Sequence, residues 1–366
     1  MESKKILFAD TLRGFAAIFV VVSHFAGIFW VMHPTVSNLI GAPEIGRFPN
    51  VPSALEFVAE YCIFFGQFGV AIFFIISGLV IPFSFEKCAR KDFLIRRAVR
   101  IYPVYIAGFC FSMMSLYFLS KYIGVSYKFS LFDIVAHFGV ITRAPLDVAR
   151  IDGISWTLEV EIYFYLTMCA AGSTILGFDT RRYVLVSLMI AFFAAIVFKY
   201  YGYLVGVQVA SALLFLLGLA FYGLINERIS LRGLWIIQAV VCALIAVLWL
   251  GVSVRAGYTL QWMAGNLLAI VAFYCCYVLR HRFKYNPVLS HLSAISYPLY
   301  VVHALFGYAI MYVLIRNGVD VYLTIGVASI AAYMAALLIH LTVERASLLW
   351  IKRSRQKLRY GPSHIS

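Results

Sequence analysis

The sequence predicts an all-α, polytopic membrane protein of about ten transmembrane helices with both termini in the cytoplasm. Three observations carry this. Hydrophobic residues fill 63% of the 366 positions and charged residues only 13%, where a soluble domain carries about twice that charged fraction. Apolar runs near the roughly 20 residues that cross a bilayer recur along the whole chain. Lysine and arginine are distributed unevenly between alternate loops, as a fixed orientation in a membrane requires.

The runs fall at 12–32, 62–82, 99–120, 155–177, 183–201, 207–226, 234–251, 259–279, 294–315 and 321–343. No soluble domain fits before, between or after them. With the amino terminus inside, 21 of the 30 Lys and Arg lie in inner loops and ends and 8 lie in outer loops, with Arg13 inside the first span. An even number of spans accounts for that bias; an odd number would put one basic end on the wrong side. The net charge of +14 is then matched by anionic headgroups beside the helices and calls for no nucleic acid. The chain divides into a membrane domain over 1–345 and a basic cytoplasmic tail over 346–366. Residues 350–360 of that tail read as a solvated anchor lying on the membrane surface.

The first run is longer than the apolar core of a signal peptide and contains Arg13 and His24, so it is expected to remain as a membrane helix. The seven cysteines sit mostly within apolar runs, where they act as small hydrophobes. They show no Cys-x-x-Cys pair and no zinc-type spacing with histidine, so neither a metal nor a disulfide framework is expected. Three stretches are irregular. His33–Tyr61 holds Pro34, Pro43, Pro49 and Pro52 and is too long for a simple turn, so it is expected to cover the outer mouth. Lys121–Gly153 contains an apolar segment, 131–141, too short to span and therefore interfacial or re-entrant. The inner loop Phe83–Arg97 is dense in basic residues.

Polar residues inside the spans point to a site. Arg13 and His24 are eleven steps apart on the first helix, close to three turns, which puts them on one face roughly 16 Å apart. Ionisable groups at membrane depth face an interior or a wet cavity and mark function. His24 lies about nine residues from the outer end of its helix, roughly 13 Å deep, and Glu161 about eight residues from Gly153, roughly 12 Å deep. A carboxylate at matched depth would orient the ring, fix its tautomer and raise its basicity, as a base needs. A lone histidine is more often an inter-helix hydrogen-bonding group; Arg13 on the same face and Glu161 at the same depth favour the functional reading. Glu159 and Glu161 diverge by about 200° on a helix, so one serves the site and the other a different partner. Periodicity does not choose between them. Ser155 suits an N-cap and Trp156 an interfacial belt.

Arg96, Arg97 and Arg100 share a face if helical and would suit a phosphate-bearing ligand. From charge alone, topology with headgroup contact is the simpler account. Pro298 should kink or start the ninth helix, and His303 lies near that helix's middle. Gln208, Gln261 and Asn266 read as inter-helix hydrogen-bonding groups, and His340 with Glu344 as a local pair.

Taken in order, these segments resemble the acyltransferase 3 family of integral membrane acyltransferases. Asp10-Thr-Leu-Arg13-Gly14 through His24 is similar to its Asp-x-x-Arg-Gly opening and Arg-x10-His signature. Phe73–Val80, with Ser77-Gly78, resembles its Phe-Phe-x-x-Ser-Gly-Phe-x-Ile segment. Arg96-Arg97-x-x-Arg100-Ile-Tyr-Pro103 resembles its Arg-Arg-x-x-Arg-x-x-Pro segment. Ser155–Tyr165 resembles its Trp-Ser-Leu-x-x-Glu-Glu-x-x-Tyr segment, and Tyr297–His303 its Tyr-Pro-Leu-Tyr-x-x-His segment. Ile162 stands where the family often has a second Glu, and Glu159 where it often has a small residue, an alignment that favours Glu161.

The resemblance implies about ten helices, acyl-CoA (acetyl-CoA) as co-substrate, no metal, and a carbohydrate or glycolipid hydroxyl as acceptor. It implies a bacterial inner (plasma) membrane location in the lipid bilayer, without the appended extracytoplasmic domain of longer members. His24, Glu161 and Arg13 are then the catalytic candidates. Arg96, Arg97, Arg100, Ser77, Tyr297 and His303 are candidates for the donor, and Trp156, Asp152 and Asp10 for the acceptor. Arg13 near the inner end and His24 farther out would let one pocket join a cytoplasmic donor to an outward acceptor. The alternative is a proton-coupled glycan or small-molecule transporter using His24, Glu161 and His303 as a relay, against which the absence of an internal repeat counts. The acceptor sugar, the acyl chain length, a covalent intermediate and the oligomeric state are left open.

Overall fold

In hydrocarbon every backbone N–H and C=O must find its partner within the protein, which leaves helices for a chain this apolar. The computed structural model describes residues 7–252 and 258–360, and every regular element among them is helical. Lys4, Lys5 and Arg255, all used in the charge count above, lie outside the described residues, as do residues 361–366. Nine helices among the described residues are long and apolar enough to cross a membrane. They are α1 (Leu7–Val31), α2 (Cys62–Phe85), α3 (Arg90–Ile123), α5 (Thr180–Tyr200), α6 (Tyr203–Ile225), α7 (Leu231–Val252), α8 (Thr259–Val278), α9 (Pro287–Arg316) and α10 (Val321–Arg353). Between α3 and α5 lies α4 (Trp156–Ile175), 20 residues long and made less apolar by Glu159 and Glu161. It occupies the run expected at 155–177.

Helix starts are written in the sequence. Asp179, Ser230 and Asp320 each accept a backbone N–H of the first turn of α5, α7 and α10, supplying part of what the four orphan donors need. Several boundaries differ from expectation; α1 begins at Leu7 rather than 12, and α10 runs to Arg353, past 343 and into the stretch read as the basic tail. The basic stretch Phe83–Arg97 is mostly helical: α2 runs to Phe85 and α3 already begins at Arg90. Likewise α9 begins at Pro287, a first-turn position suited to the fixed φ of proline, and continues through Pro298.

The chain forms two compact units. The first comprises Met1–Met32, Val51–Ala89 and Trp156–Ser296. Its centre is α2, packed by α1, α6 and α8. Where α2 crosses α6, Gly78 and Gly218 face each other. A Cβ on Gly78 would sit 2.2 Å from the Phe215 carbonyl oxygen, and one on Gly218 would sit 2.2 Å from that of Ile75. Small residues allow this backbone approach, as in other membrane helix pairs. Buried Gln67 donates to Asn266 Oδ1 (2.6 Å), joining α2 to α8, and Gln261 Nε2 donates to the Glu60 carbonyl (2.7 Å). Both are the inter-helix bonds expected of isolated amides. At the far end of α2, Arg228 donates to the Leu176 carbonyl (2.6 Å) and to Glu86 Oε1 (2.8 Å), with its guanidinium over the Tyr222 ring. This cation joins three helix ends.

The second unit comprises His33–Asn50, Arg90–Ser155 and Tyr297–Ser366. In it α3 and the later part of α9 run side by side in the same direction. Tyr297 Oη donates to the Ile101 carbonyl (2.8 Å), Gly108 lies against Val301 and Val302, Phe111 meets Phe306 edge-on, and Tyr122 bonds Asn317 at the end. His340 and Glu344 pair at 2.6 Å within a π-helical turn of α10 packed on α3. The two connecting stretches of this unit contain short helices, His33–Ile40 and Leu131–Phe138. The latter is opened by a Ser130–Asp133 capping box. Each stretch is pinned by a buried imidazole that accepts a backbone N–H. Nε2 of His33 accepts from Ile45 N (3.2 Å), and Nε2 of His137 from Ile151 N (3.0 Å).

Candidate active site

The first helix presents Asp10, Arg13 and His24, all half-buried. From Leu7 to Val22 it is α-helical, so Arg13 keeps its expected face. At Ser23 it widens into a π turn, Ser23–Ile28, with His24 as its second residue. Such turns leave backbone carbonyls short of their usual partner and collect at functional sites. Here the indole Nε1 of Trp30 donates to the Phe25 carbonyl (2.7 Å). The turn is fixed from the side as well. Buried Ser23 donates to the Cys62 carbonyl at the start of α2 (2.7 Å). Gly27 packs so closely there that an added Cβ would lie 2.2 Å from Cys62 Cβ. The backbone bearing His24 is therefore held by hydrogen bonds and by steric contact.

The two acids of α4 separate by environment. Glu159 is 4% exposed, and its Oε2 accepts from Gln208 Nε2 of α6 (2.7 Å). Glu161 is half-buried, and its Oε1 accepts a short hydrogen bond from the Tyr165 hydroxyl one turn along the same helix. The acid that serves a neighbouring helix is thus Glu159, and Gln208 is its inter-helix partner. The hydrogen bond that orients Glu161 comes from Tyr165 rather than from an imidazole. Trp156, the first residue of α4, is half-buried and lies 6.1 Å, ring to ring, from both Phe74 and Trp262. Ser77 is half-buried on α2 beside the Gly78 crossing.

The remaining candidates belong to the second unit. Arg96, Arg97 and Arg100 are half-buried on the first turns of α3, with helical spacing that stacks them; the Arg97 guanidinium lies over Phe93, 5.4 Å from its ring centre. Tyr297 joins α9 to α3 through the Ile101 carbonyl. His303 is fully buried, and its Nδ1 lies 2.8 Å from the Tyr300 carbonyl and 3.1 Å from that of Leu299. Those acceptors put the proton on Nδ1 and leave Nε2 as the basic nitrogen. Asp152 is buried, and its Oδ1 accepts from Ser155 N (2.9 Å). It performs the turn-closing role that the sequence suggested for Ser155, whose own Oγ is buried and has no hydrogen-bond partner among the described residues.

The π turn, Tyr165 and the Gln208 contact to Glu159 escape sequence reasoning. Of these only Tyr165 had a local signal, its i, i+4 spacing from Glu161. In comparison with known proteins, a family model described as an acyltransferase domain matches residues 6–343. No curated protein and no solved structure matches.

Proposed function

Because the chain belongs to the family defined by that acyltransferase domain, and is thereby a membrane acyltransferase, we propose that it moves an acyl group from acyl-CoA, acetyl-CoA foremost, to a hydroxyl of a carbohydrate or glycolipid. The observation that carries the residue assignment is the π turn at His24, a widened helical turn held in place by Ser23, Gly27 and Trp30.

In the proposed reaction the basic nitrogen of His24 takes the proton of the acceptor hydroxyl. The oxygen attacks the thioester carbonyl, the C–S bond breaks, and the CoA thiolate leaves and is reprotonated by the imidazolium. Glu161, oriented by Tyr165, holds the ring in its working tautomer once the acceptor is bound, and Arg13 stabilises charge at the thioester. Arg96, Arg97 and Arg100 take the CoA phosphates as charge-assisted donors, with Ser77, Tyr297 and His303 as further donor contacts. Asp152 and Trp156 are assigned to the acceptor; Asp10, in the first turn of α1 and nearer the cytoplasmic end than Arg13, falls on the donor side of this arrangement. The Lys and Arg distribution supports both termini in the cytoplasm, and the family resemblance supports a bacterial inner membrane, with acyl-CoA arriving from inside and the acceptor from outside.

General-base help is worth on the order of 10² to 10⁴ in rate. His24→Ala should lower release of CoA thiol, measured on purified protein with acetyl-CoA and extracted glycan, by that factor while leaving the protein in the membrane fraction. Near wild-type turnover by His24→Ala would remove His24 from the chemistry.

A further inference from the structure

Three helices of the first unit begin near one another: α4 at Trp156, α6 at Tyr203 and α8 at Thr259. Their first turns bring together three aromatic rings. Trp262 lies 6.1 Å from Trp156, inclined at 51°, and 6.1 Å from Tyr203, inclined at 82°. All three rings are half-buried. Aromatic residues at helix ends in a membrane protein ordinarily form a belt facing the headgroups, as exposed Tyr200 and Tyr201 do at 68% and 72%. The three rings differ from that pattern because they face one another and have a polar pair beneath them.

That pair is Glu159 and Gln208. Glu159 lies one turn below Trp156 on α4 and is almost wholly buried, an expensive place for a carboxylate unless it serves a purpose. A carboxylate accepts only, so it fixes the Gln208 amide with its nitrogen toward Glu159. Among the described residues Gln208 makes no other side-chain hydrogen bond, although it is half-buried. One amide proton and the carbonyl oxygen of Gln208 are therefore oriented but not used. A donor and an acceptor side by side match vicinal hydroxyls, and aromatic faces with a polar edge match the C–H face of a pyranose.

We propose that Trp156, Tyr203, Trp262 and Gln208 form the subsite that receives one pyranose ring of the acceptor, with Glu159 as the residue that positions Gln208. The C–H face of the sugar lies on the indoles, and two neighbouring hydroxyls exchange hydrogen bonds with the Gln208 amide. This rests on the reading that the acceptor is a carbohydrate, and it adds to Trp156 three residues that no sequence motif singles out.

The test uses full-length purified protein and glycans extracted from cells lacking it, with two readouts. In steady-state transfer from labelled acetyl-CoA, Trp262→Ala and Gln208→Leu should raise KM for the glycan about tenfold, the scale of one lost aromatic or hydrogen-bonding contact, with a far smaller change in KM for acetyl-CoA. Trp262→Phe, which keeps most of the packing, should fall between. Parallel shifts of both KM values, or an unchanged glycan KM, would overturn the subsite. The second readout needs no catalysis: the glycan should quench tryptophan emission of the wild type and quench Trp262→Phe less. Quenching without any acyl transfer by the wild type would reject the proposed reaction and keep the subsite. Transfer with equal quenching in wild type and Trp262→Phe would keep the reaction and reject the subsite.

Discussion

Gly27 links the fold to the proposed chemistry, and replacing it by alanine tests that link. The added methyl would sit 2.2 Å from Cys62 Cβ, 3.2 Å from the Val58 carbonyl oxygen and 3.3 Å from Cys62 Cα, against 3.4–4 Å for ordinary contact. The atoms it meets are backbone or directly attached to it, so no rotamer change relieves the clash. The end of α1 and the start of α2 must part by more than about 1 Å. Overpacking of this kind costs about 1–3 kcal/mol. The displacement falls on the π turn itself: Ser23 is bonded to the Cys62 carbonyl, and His24 is its neighbour. A shift of about 1 Å in a catalytic group costs roughly 10²-fold in rate. Gly27→Ala should therefore lower both the melting temperature of the detergent-purified protein and its rate of CoA release, with the rate falling further than the stability loss explains.

The control is a second substitution at the atom responsible. Cys62→Gly removes the Cβ in the way and should restore stability and most of the rate to Gly27→Ala, a coupling measured by a double-mutant cycle. Cys62→Ala keeps that Cβ while removing the thiol and should restore neither. A Gly27→Ala protein that melts and turns over like the wild type would refute the steric argument. Rescue by Cys62→Ala as good as that by Cys62→Gly would show instead that the thiol matters.

Two further outcomes are expected. Gly218→Ala should destabilise by about 1–3 kcal/mol through the α2–α6 crossing, whereas Gly326→Ala in α10, where nothing lies within 4 Å, should be neutral or stabilise by roughly 0.5–1 kcal/mol; thermal melts of the two variants check this. Burial lowers the pKa of His33 below its ordinary 6.5, outweighing the upward pull of Glu44. The folded protein therefore holds the ring neutral, and the stability it contributes is present above about pH 6.5 and declines as pH falls toward the folded value; hydrogen exchange at the Ile45 amide, corrected for intrinsic rate, should lose protection on acidification.

The long helices were legible because the bilayer leaves the backbone no alternative, so length and hydropathy alone placed ten runs. The caps Asp179, Ser230 and Asp320 set three starts that hydropathy does not mark. What hydropathy misread was the basic stretch before α3. Arg90, Lys91, Arg96 and Arg97 look like loop by polarity, yet arginine and lysine are good helix formers, and α3 begins at Arg90. The π turn at His24 had no signature because it depends on packing. Ser23 and Gly27 face Cys62 from 35 or more positions away in sequence, and a periodicity measured along one helix does not see the neighbour.

Glu159 and Glu161 show how far periodicity reaches. Two residues apart on a helix, they had to point in different directions, and that much could be read without coordinates. Which one faced which partner could not, because the deciding groups, Gln208 and Tyr165, are chosen by tertiary packing and by side-chain reach. Gln208 takes Glu159 at 2.7 Å across helices, and Tyr165 takes Glu161 within the turn. The buried acid is thereby committed to an amide, while the half-buried acid is oriented by a phenol. Of the two, Glu161 retains the partial exposure that an acid assisting a proton transfer needs, and Glu159 has the immobility of a residue that positions another. The sequence supplied the pair, and the packing around it divides the proposed roles.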